Sequence, residues 1–123
     1  MRNISLLFSV LLLFSCNNAN ESENHQPLQT ETLKRKLLAK ADSLYLADQF
    51  LQAIPLYDSL IAMDSIRGGY YFKRGYCKSM LLETTFDEQA ISDYKKSIEL
   101  NYIKKESSFL NIGVIFRFYG MYD

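Results

Sequence analysis

The chain has 123 residues, with 14 basic and 14 acidic side chains, one histidine and two cysteines. This length allows one small domain at most. Because binding to a polyanion depends on a concentrated basic field, the charge balance argues against nucleic acid as a partner. Short lysine clusters are followed by acidic residues in the same segments, which is typical of solvated helix faces.

The N-terminus combines a short positive start with the apolar run ISLLFSVLLLF, and Ser15 and Cys16 follow directly. A run of this length is too short to span a hydrocarbon core of about 30 Å comfortably, but it has the length of a signal peptide. The ending LFSC resembles the lipobox of bacterial lipoproteins, with Leu13 three residues before the cysteine. The resemblance implies a signal peptide over 1–15 and lipidation of Cys16. An ordinary secretory signal and an N-terminal core helix are the alternatives.

Residues 16–29 have no apolar periodicity and predict a flexible polar tether. His25 lies in this tether, which argues against a role as ligand or base. If Cys16 is lipidated, Cys77 has no partner for an intramolecular disulfide, and we expect it to be a partly buried structural thiol. A lipid anchor implies the bacterial cell envelope. Asn17 stands where some inner-membrane lipoproteins have aspartate, which favours the outer membrane.

From Thr30 onward apolar residues recur at helical spacing, which predicts an all-α fold. One helical stripe occurs twice, as AIPLYDSLIAMD at 53–64 and AISDYKKSIELN at 90–101. Gly68 and Gly69 predict the end of the second helix. A third helix is expected at about 70–82 and a fourth at about 87–101, with LLETTFDE forming an enlarged hairpin loop between them.

Small residues stand at matched positions in the two halves, followed by a tyrosine: Ala41, Ala53 and Tyr57 in the first, and Gly75, Ala90 and Tyr94 in the second. This pattern resembles the tetratricopeptide repeat, a 34-residue unit of two helices that cross at small residues. The resemblance implies a short α-solenoid of about two and a half helical hairpin repeats over 30–123, with units at 34–67, 68–101 and, in part, 105–123. A hairpin cannot bury its apolar face alone, so its neighbour covers it. A generic helical bundle is the alternative.

The sequence offers no catalytic constellation. The expected folded part has no histidine, no cysteine with a positioned base, no glycine-rich phosphate loop and no metal-ligand spacing. Asp42, Asp58 and Asp93 are expected on outer or groove faces of helices, without the pairing that marks acid–base chemistry. We therefore expect no enzyme activity, no cofactor and no metal.

In proteins that resemble this repeat, the first helix of each unit lines a concave groove that binds a peptide or a partner protein. Transferring the groove positions by register gives Phe72, Tyr76 and Met80 in the second unit, and Leu110, Val114 and Arg117 in the third. Aromatic and methionine side chains give adaptable contact area. Ordinary packing between repeats is the alternative for each residue.

These observations predict a membrane-anchored protein–protein interaction module. Two alternatives are the N-terminal input part of a larger signalling or regulatory protein and a subunit of an envelope assembly or uptake complex. The last helix, around 109–118, is apolar on nearly every side, unlike a solvent-facing cap. It predicts a truncated piece of a longer array, or a surface that a partner or a second copy of the chain covers.

Overall fold

The computed structural model describes residues 26–120, which form five α-helices joined by short loops. The helices are α1 (Gln26–Leu46), α2 (Phe50–Met63), α3 (Gly68–Ser79), α4 (Thr84–Glu99) and α5 (Lys105–Phe118). This described part of the chain contains no strand, so the predicted all-α class is confirmed. The predicted signal peptide at 1–15, the lipidation site Cys16 and His25 lie outside the described residues.

Each helix packs against the next one along the chain, and α5 also touches α3. The loops 47–49 and 80–83 are short, which makes α1–α2 and α3–α4 antiparallel hairpins. Asp48 and Leu82 have φ values of 56° and 55° in these loops, the left-handed conformation that reverses the chain within few residues. On its other side α3 reaches α1, because Lys73 donates hydrogen bonds to Asp42. Helix α3 therefore lies between α1 and α5.

Two helix boundaries differ from the sequence-based expectation. α1 begins at Gln26, so residues 26–29 of the predicted tether are helical. Pro27 fits there because the first turn of a helix leaves its backbone N–H groups unbonded, and a missing amide costs nothing. The enlarged loop expected at 81–88 is replaced by the loop 80–83, and the extra residues lengthen α4, which begins at Thr84.

The prediction that Gly68 and Gly69 end the second helix is wrong. Helix α2 ends at Met63, and the two glycines form the first turn of α3. A Cβ atom on Gly68 would lie 3.0 Å from the Cβ atom of Tyr102 and 3.2 Å from the carbonyl oxygen of Ser97. The glycines are therefore needed for close contact between the start of α3 and the loop after α4. This contact is long-range, so the local sequence does not reveal it.

The core consists of two clusters that share α3. The first core cluster joins the α1–α2 hairpin to α3, and its buried members are Ala41, Ala53, Tyr57, Leu60, Tyr70 and Cys77. The second core cluster joins the α3–α4 hairpin to α5, and its buried members are Phe72, Ala90, Tyr94 and Ile115. Small residues at the crossings let the helices approach, and the large side chains then bury area worth about 25 cal/mol per Å².

Candidate functional site

A cleft of about 180 Å³ opens between α3 and α5. Helix α3 and the loop after it supply one wall, α5 supplies the other, and one residue of α4 reaches in. The lining residues are Tyr76, Ser79, Met80, Leu82, Asp87, Asn111, Val114, Ile115 and Phe118. The cleft exists because α5 packs on the second core cluster through Ile115, which leaves the neighbouring turns of α5 facing the end of α3.

The rim of this cleft is apolar and exposed. Met80 and Leu82 on the α3 side are both exposed. On the α5 side, Val114 is 58% exposed and Phe118 is 71% exposed. Large apolar side chains exposed singly are normal on a protein surface, whereas a contiguous group around a concavity marks a contact site. The cleft therefore offers apolar contact area.

The polar groups in the cleft already have partners. The hydroxyl oxygens of Tyr94 and Ser79 lie 3.2 Å apart, within hydrogen-bond distance. The Asp87 carboxylate accepts a hydrogen bond from the Tyr119 hydroxyl. Within residues 26–120 no buried side-chain nitrogen or oxygen lacks a hydrogen-bond partner. An occupant of the cleft would therefore be held mainly by apolar contact.

The structure brings three of the six predicted groove residues together. Tyr76, Met80 and Val114 line the cleft. Tyr76 is half-buried, and its ring centroid lies 5.3 Å from that of Tyr45 in α1 and 5.9 Å from that of Phe50 in α2. It therefore also holds the two hairpins together.

The other three predicted groove residues lie elsewhere. Phe72 is only 7% exposed, and its ring packs 5.7 Å from that of Tyr94 and 5.3 Å from that of Tyr102, so it belongs to the core. Leu110 and Arg117 are exposed on α5 but do not line the cleft.

Sequence reasoning missed Leu82 and Phe118 at the rim. For Phe118 a signal existed, because it stands four residues after Val114 on α5 and is a large apolar residue. For Leu82 there was none. It reaches the cleft because its positive φ turns the loop 80–83 toward α5.

The expectation that Asp93 lies on an outer or groove face is wrong, because its side chain is only 6% exposed. Its Oδ2 atom accepts hydrogen bonds of 2.9 Å from Arg74 Nε and from Lys78 Nζ. Arg74 Nη1 also donates to Asp58 at 2.7 Å. Burial lowers the pKa of Arg74, but its interactions with the carboxylates of Asp93 and Asp58 together outweigh this, so the pKa is raised. A carboxylate held by two cations clamps α3 to α4 and is poorly suited to proton transfer.

Cys77 is the single cysteine of the described range and is completely buried in the first core cluster. Burial raises the pKa of its thiol to about 12. Because the thiolate is the nucleophile, this side chain is inert near neutral pH. The thiol is thus completely buried, whereas the sequence-based expectation was a partly buried structural thiol. No group of three or more histidine, cysteine, aspartate or glutamate side chains in 26–120 could hold a metal ion.

The chain matches no protein-family model, no curated protein and no solved structure. Among the helices between residues 26 and 120, none combines the length and the apolar character needed to cross a membrane. The function proposed for this protein is therefore argued from its own residues and their geometry.

Proposed function

We propose that this chain is a lipid-anchored protein-interaction module that binds an apolar segment of a partner protein in the cleft between α3 and α5. The observation that carries the proposal is the convergence of four exposed apolar side chains, Met80, Leu82, Val114 and Phe118, on one concavity. They come from the loop 80–83 and from α5, which are far apart in sequence.

The helices are proposed to be tetratricopeptide-like repeats. Two antiparallel hairpins follow each other, and each has a fully buried tyrosine, Tyr57 in α2 and Tyr94 in α4. A Cβ atom on Gly75 would lie 3.2 Å from the carbonyl oxygen of Ala90, so these helices cross closely at small residues. Helix α3 contacts both α1 and α5, as the first helix of a middle repeat would.

The size of the cleft favours a protein segment over a small ligand. Pockets for cofactors and drug-sized molecules usually have volumes of about 300–1,000 Å³. A cleft of about 180 Å³ fits one or two side chains of a longer chain. Because its polar groups are paired internally, recognition would rest on apolar side chains of the partner, such as those spaced along one face of a helix. Met80 adds a flexible contact that adapts to their shape.

Lipidation of Cys16 is the second part of the proposal. One acyl chain binds a bilayer only marginally, whereas two or more hold a protein firmly. The anchor would place the cleft at a membrane of the bacterial envelope, with the outer membrane preferred, and the partner would be another envelope protein.

The cleft is tested by photo-crosslinking in the bacterium that produces the protein. A benzophenone amino acid replaces Val114 at the rim in one strain and Ser92, an exposed residue of α4, in a control strain. We expect a discrete protein adduct from position 114 only, and its loss when Met80→Glu is added. Equal adducts from both positions, or none from position 114, would contradict the proposed cleft.

The anchor is tested by intact mass of protein from the membrane fraction, with Cys16→Ala as the control. We expect a mature chain that starts at Cys16 and carries a diacylglyceryl group, and loss of both features in the variant. An unmodified chain would contradict the anchor and leave the cleft as the only part of the proposal.

A further inference from the structure

The loops 64–67 and 100–104 lie together at one end of the molecule, which we call the anchor end. Gly68 and Gly69, directly after the first loop, pack against Tyr102 in the second. Asp64 in the first loop accepts a hydrogen bond of 3.2 Å from Lys34 Nζ in the first half of α1. Helix α1 therefore begins at this end, and it is the end from which the chain leads back to Cys16.

The anchor end exposes large aliphatic side chains at its loop tips. Ile66 is 75% exposed and Ile103 is 86% exposed. The first turns of α1 add Leu28 and Leu33, which are also exposed. Apolar side chains at the tips of adjacent loops can enter the boundary between headgroups and acyl chains of a bilayer.

Charge distinguishes this end from the opposite one. At the anchor end, Arg67 lies next to Ile66, and Lys104 and Lys105 follow Ile103. Both lysines are exposed, and Glu106 is the acidic residue beside them. The carboxylate of Asp64 pairs with Lys34 and Arg67, and Lys34 also pairs with Glu31 at 3.2 Å.

The opposite end is formed by the loops 47–49 and 80–83. They contain the acidic residues Asp48 and Glu83 and no basic residue. Counted over the loops alone, the anchor end is therefore slightly basic and the opposite end is acidic, although the total charge of the chain is zero.

We propose that the anchor end is a membrane-contact surface that binds a bilayer containing anionic lipid and orients the anchored protein, with the opposite end pointing away. This inference rests on the proposed lipid anchor at Cys16. Basic side chains gain attraction only within a Debye length of an anionic surface, about 8 Å at physiological ionic strength, so only the end in contact gains it.

The length of chain before α1 supports this orientation. Nine residues separate Cys16 from Gln26, and an extended chain of this length reaches about 36 Å at most. The far end of α1 lies about 32 Å further on, because a helix rises about 1.5 Å per residue. The anchor thus keeps the basic end near the bilayer, whereas contact through the acidic end would need a fully stretched chain.

Single tryptophan residues test the orientation, because the chain has none of its own. Ile103→Trp places the probe at the anchor end, and Leu82→Trp, at a leucine that is 72% exposed, places a second probe at the opposite end. The lipidated full chain is reconstituted in vesicles of phosphatidylethanolamine and phosphatidylglycerol whose acyl chains are brominated or unbrominated. We expect bromine to quench most of the fluorescence of Ile103→Trp and little of that of Leu82→Trp.

A second pair of variants tests the role of charge. Adding Lys104→Gln and Lys105→Gln to Ile103→Trp should shift the equilibrium away from the contacting orientation about fivefold for each lysine removed. Lys40→Gln with Arg117→Gln removes the same charge from exposed positions of α1 and α5 that lie away from the anchor end and should leave the quenching unchanged.

Flotation of the same vesicles separates the two proposals. A chain that does not float with the vesicles contradicts the anchor and this inference with it. A chain that floats but shows equal quenching in both tryptophan variants, or none in Ile103→Trp, keeps the anchor and overturns the orientation. If Ile103→Trp is shielded equally without vesicles, a second copy covers these loops, and the membrane-contact surface is likewise refuted.

Discussion

The two hairpins share a packing pattern but differ in the polar contacts that hold it. In the first hairpin the Tyr57 hydroxyl donates a 2.7 Å hydrogen bond to Asp42, and Lys73 of α3 donates to both oxygens of that carboxylate at 2.8 Å. In the second hairpin the Tyr94 hydroxyl lies 3.2 Å from the neutral hydroxyl of Ser79, and the neutral Asn111 side chain is nearby. The first junction is therefore charged and the second is neutral.

The comparison shows which part of a repeated pattern is fixed by packing. Lys73 and Asn111 each stand two residues before a glycine, and each reaches the polar group of the preceding hairpin. The apolar stripe and the buried tyrosine recur because they fill the same space between helices. The polar partner can change, since a hydroxyl that needs a hydrogen bond can take it from an ion pair or from an amide.

The largest expected effect concerns the ion pairs of the second hairpin, in which Asp93 of α4 binds Arg74 and Lys78 of α3. We call these three residues the clamp. Asp93→Ala leaves two poorly exposed cations without their carboxylate, which should cost about 3–5 kcal/mol of unfolding free energy. Asp58→Ala is the matched control, because Asp58 is the outer partner of Arg74 and is 52% exposed. It should cost about 1 kcal/mol or less. Urea unfolding of both variants measures this, and equal losses would show that burial of the clamp does not matter.

The next largest effect is expected from removing the tyrosine hydroxyl at the charged junction, compared with removing the one at the neutral junction. Tyr57→Phe removes a hydrogen bond to a carboxylate and should cost about 1.5–3 kcal/mol, whereas Tyr94→Phe removes neutral hydrogen bonds and should cost about 0.5–1.5 kcal/mol. Both rings stay buried, so packing is matched. Chemical denaturation of the two variants provides the measurement. A larger loss for Tyr94→Phe would reverse the proposed distinction.

A pair of glycines sharpens the comparison between the tight second hairpin and the looser α5. A Cβ atom on Gly75 would lie 3.1 Å from the Cβ atom of Asp93, whereas one on Gly113 would meet nothing within 4 Å. Gly75→Val should cost about 1–3 kcal/mol by overpacking. Gly113→Val should change stability by about 0.5 kcal/mol or less, because valine has a slightly better helix propensity than glycine. Thermal unfolding of both proteins tests this, and similar losses would show that α5 packs as tightly as α4.

The smallest effect is a pH dependence of the unfolding free energy that arises in the first core cluster. Of the two clusters, only the first contains a buried thiol. Burial raises the pKa of Cys77 from about 9 to about 12. The unfolded chain therefore loses the thiol proton first, and the stability due to this group, fully present below about pH 9, falls between about pH 9 and 12. Burial also raises the pKa of Tyr57, with a further contribution from its hydrogen bond to Asp42, and burial raises the pKa of Tyr94.

Cys77→Ala isolates this contribution. Its urea midpoint should fall less than that of the parent chain between neutral pH and about pH 9, where the thiol of the unfolded chain is about half titrated and its tyrosines have only begun to titrate. Any cavity that the substitution leaves lowers the midpoint equally at both pH values. The quantity to compare between the two proteins is therefore the difference between the midpoints measured at the two pH values. An unchanged difference would mean that the thiol is as acidic in the folded protein as in the unfolded chain.

Three of the nine residues that line the proposed site could be found from the sequence. Tyr76, Met80 and Val114 come from the groove positions that the tetratricopeptide resemblance implies, transferred by helical register. Phe72 has the same register and yet is buried, since Tyr94 and Tyr102 pack over it from a later helix and a later loop. Leu82 depends on one backbone angle in a loop, for which the sequence carries no periodic signal.

The sequence by itself determined the all-α class, the pairing of helices into hairpins and the buried tyrosines, because these follow from local periodicity and from small residues at matched positions. Tertiary structure decided the rest. It placed Gly68 and Gly69 in the first turn of α3 and buried Asp93 between two cations. It also brought the loops 64–67 and 100–104 together at the end where α1 begins. Each of these depends on residues distant in the chain, whose contacts arise only when the helices pack.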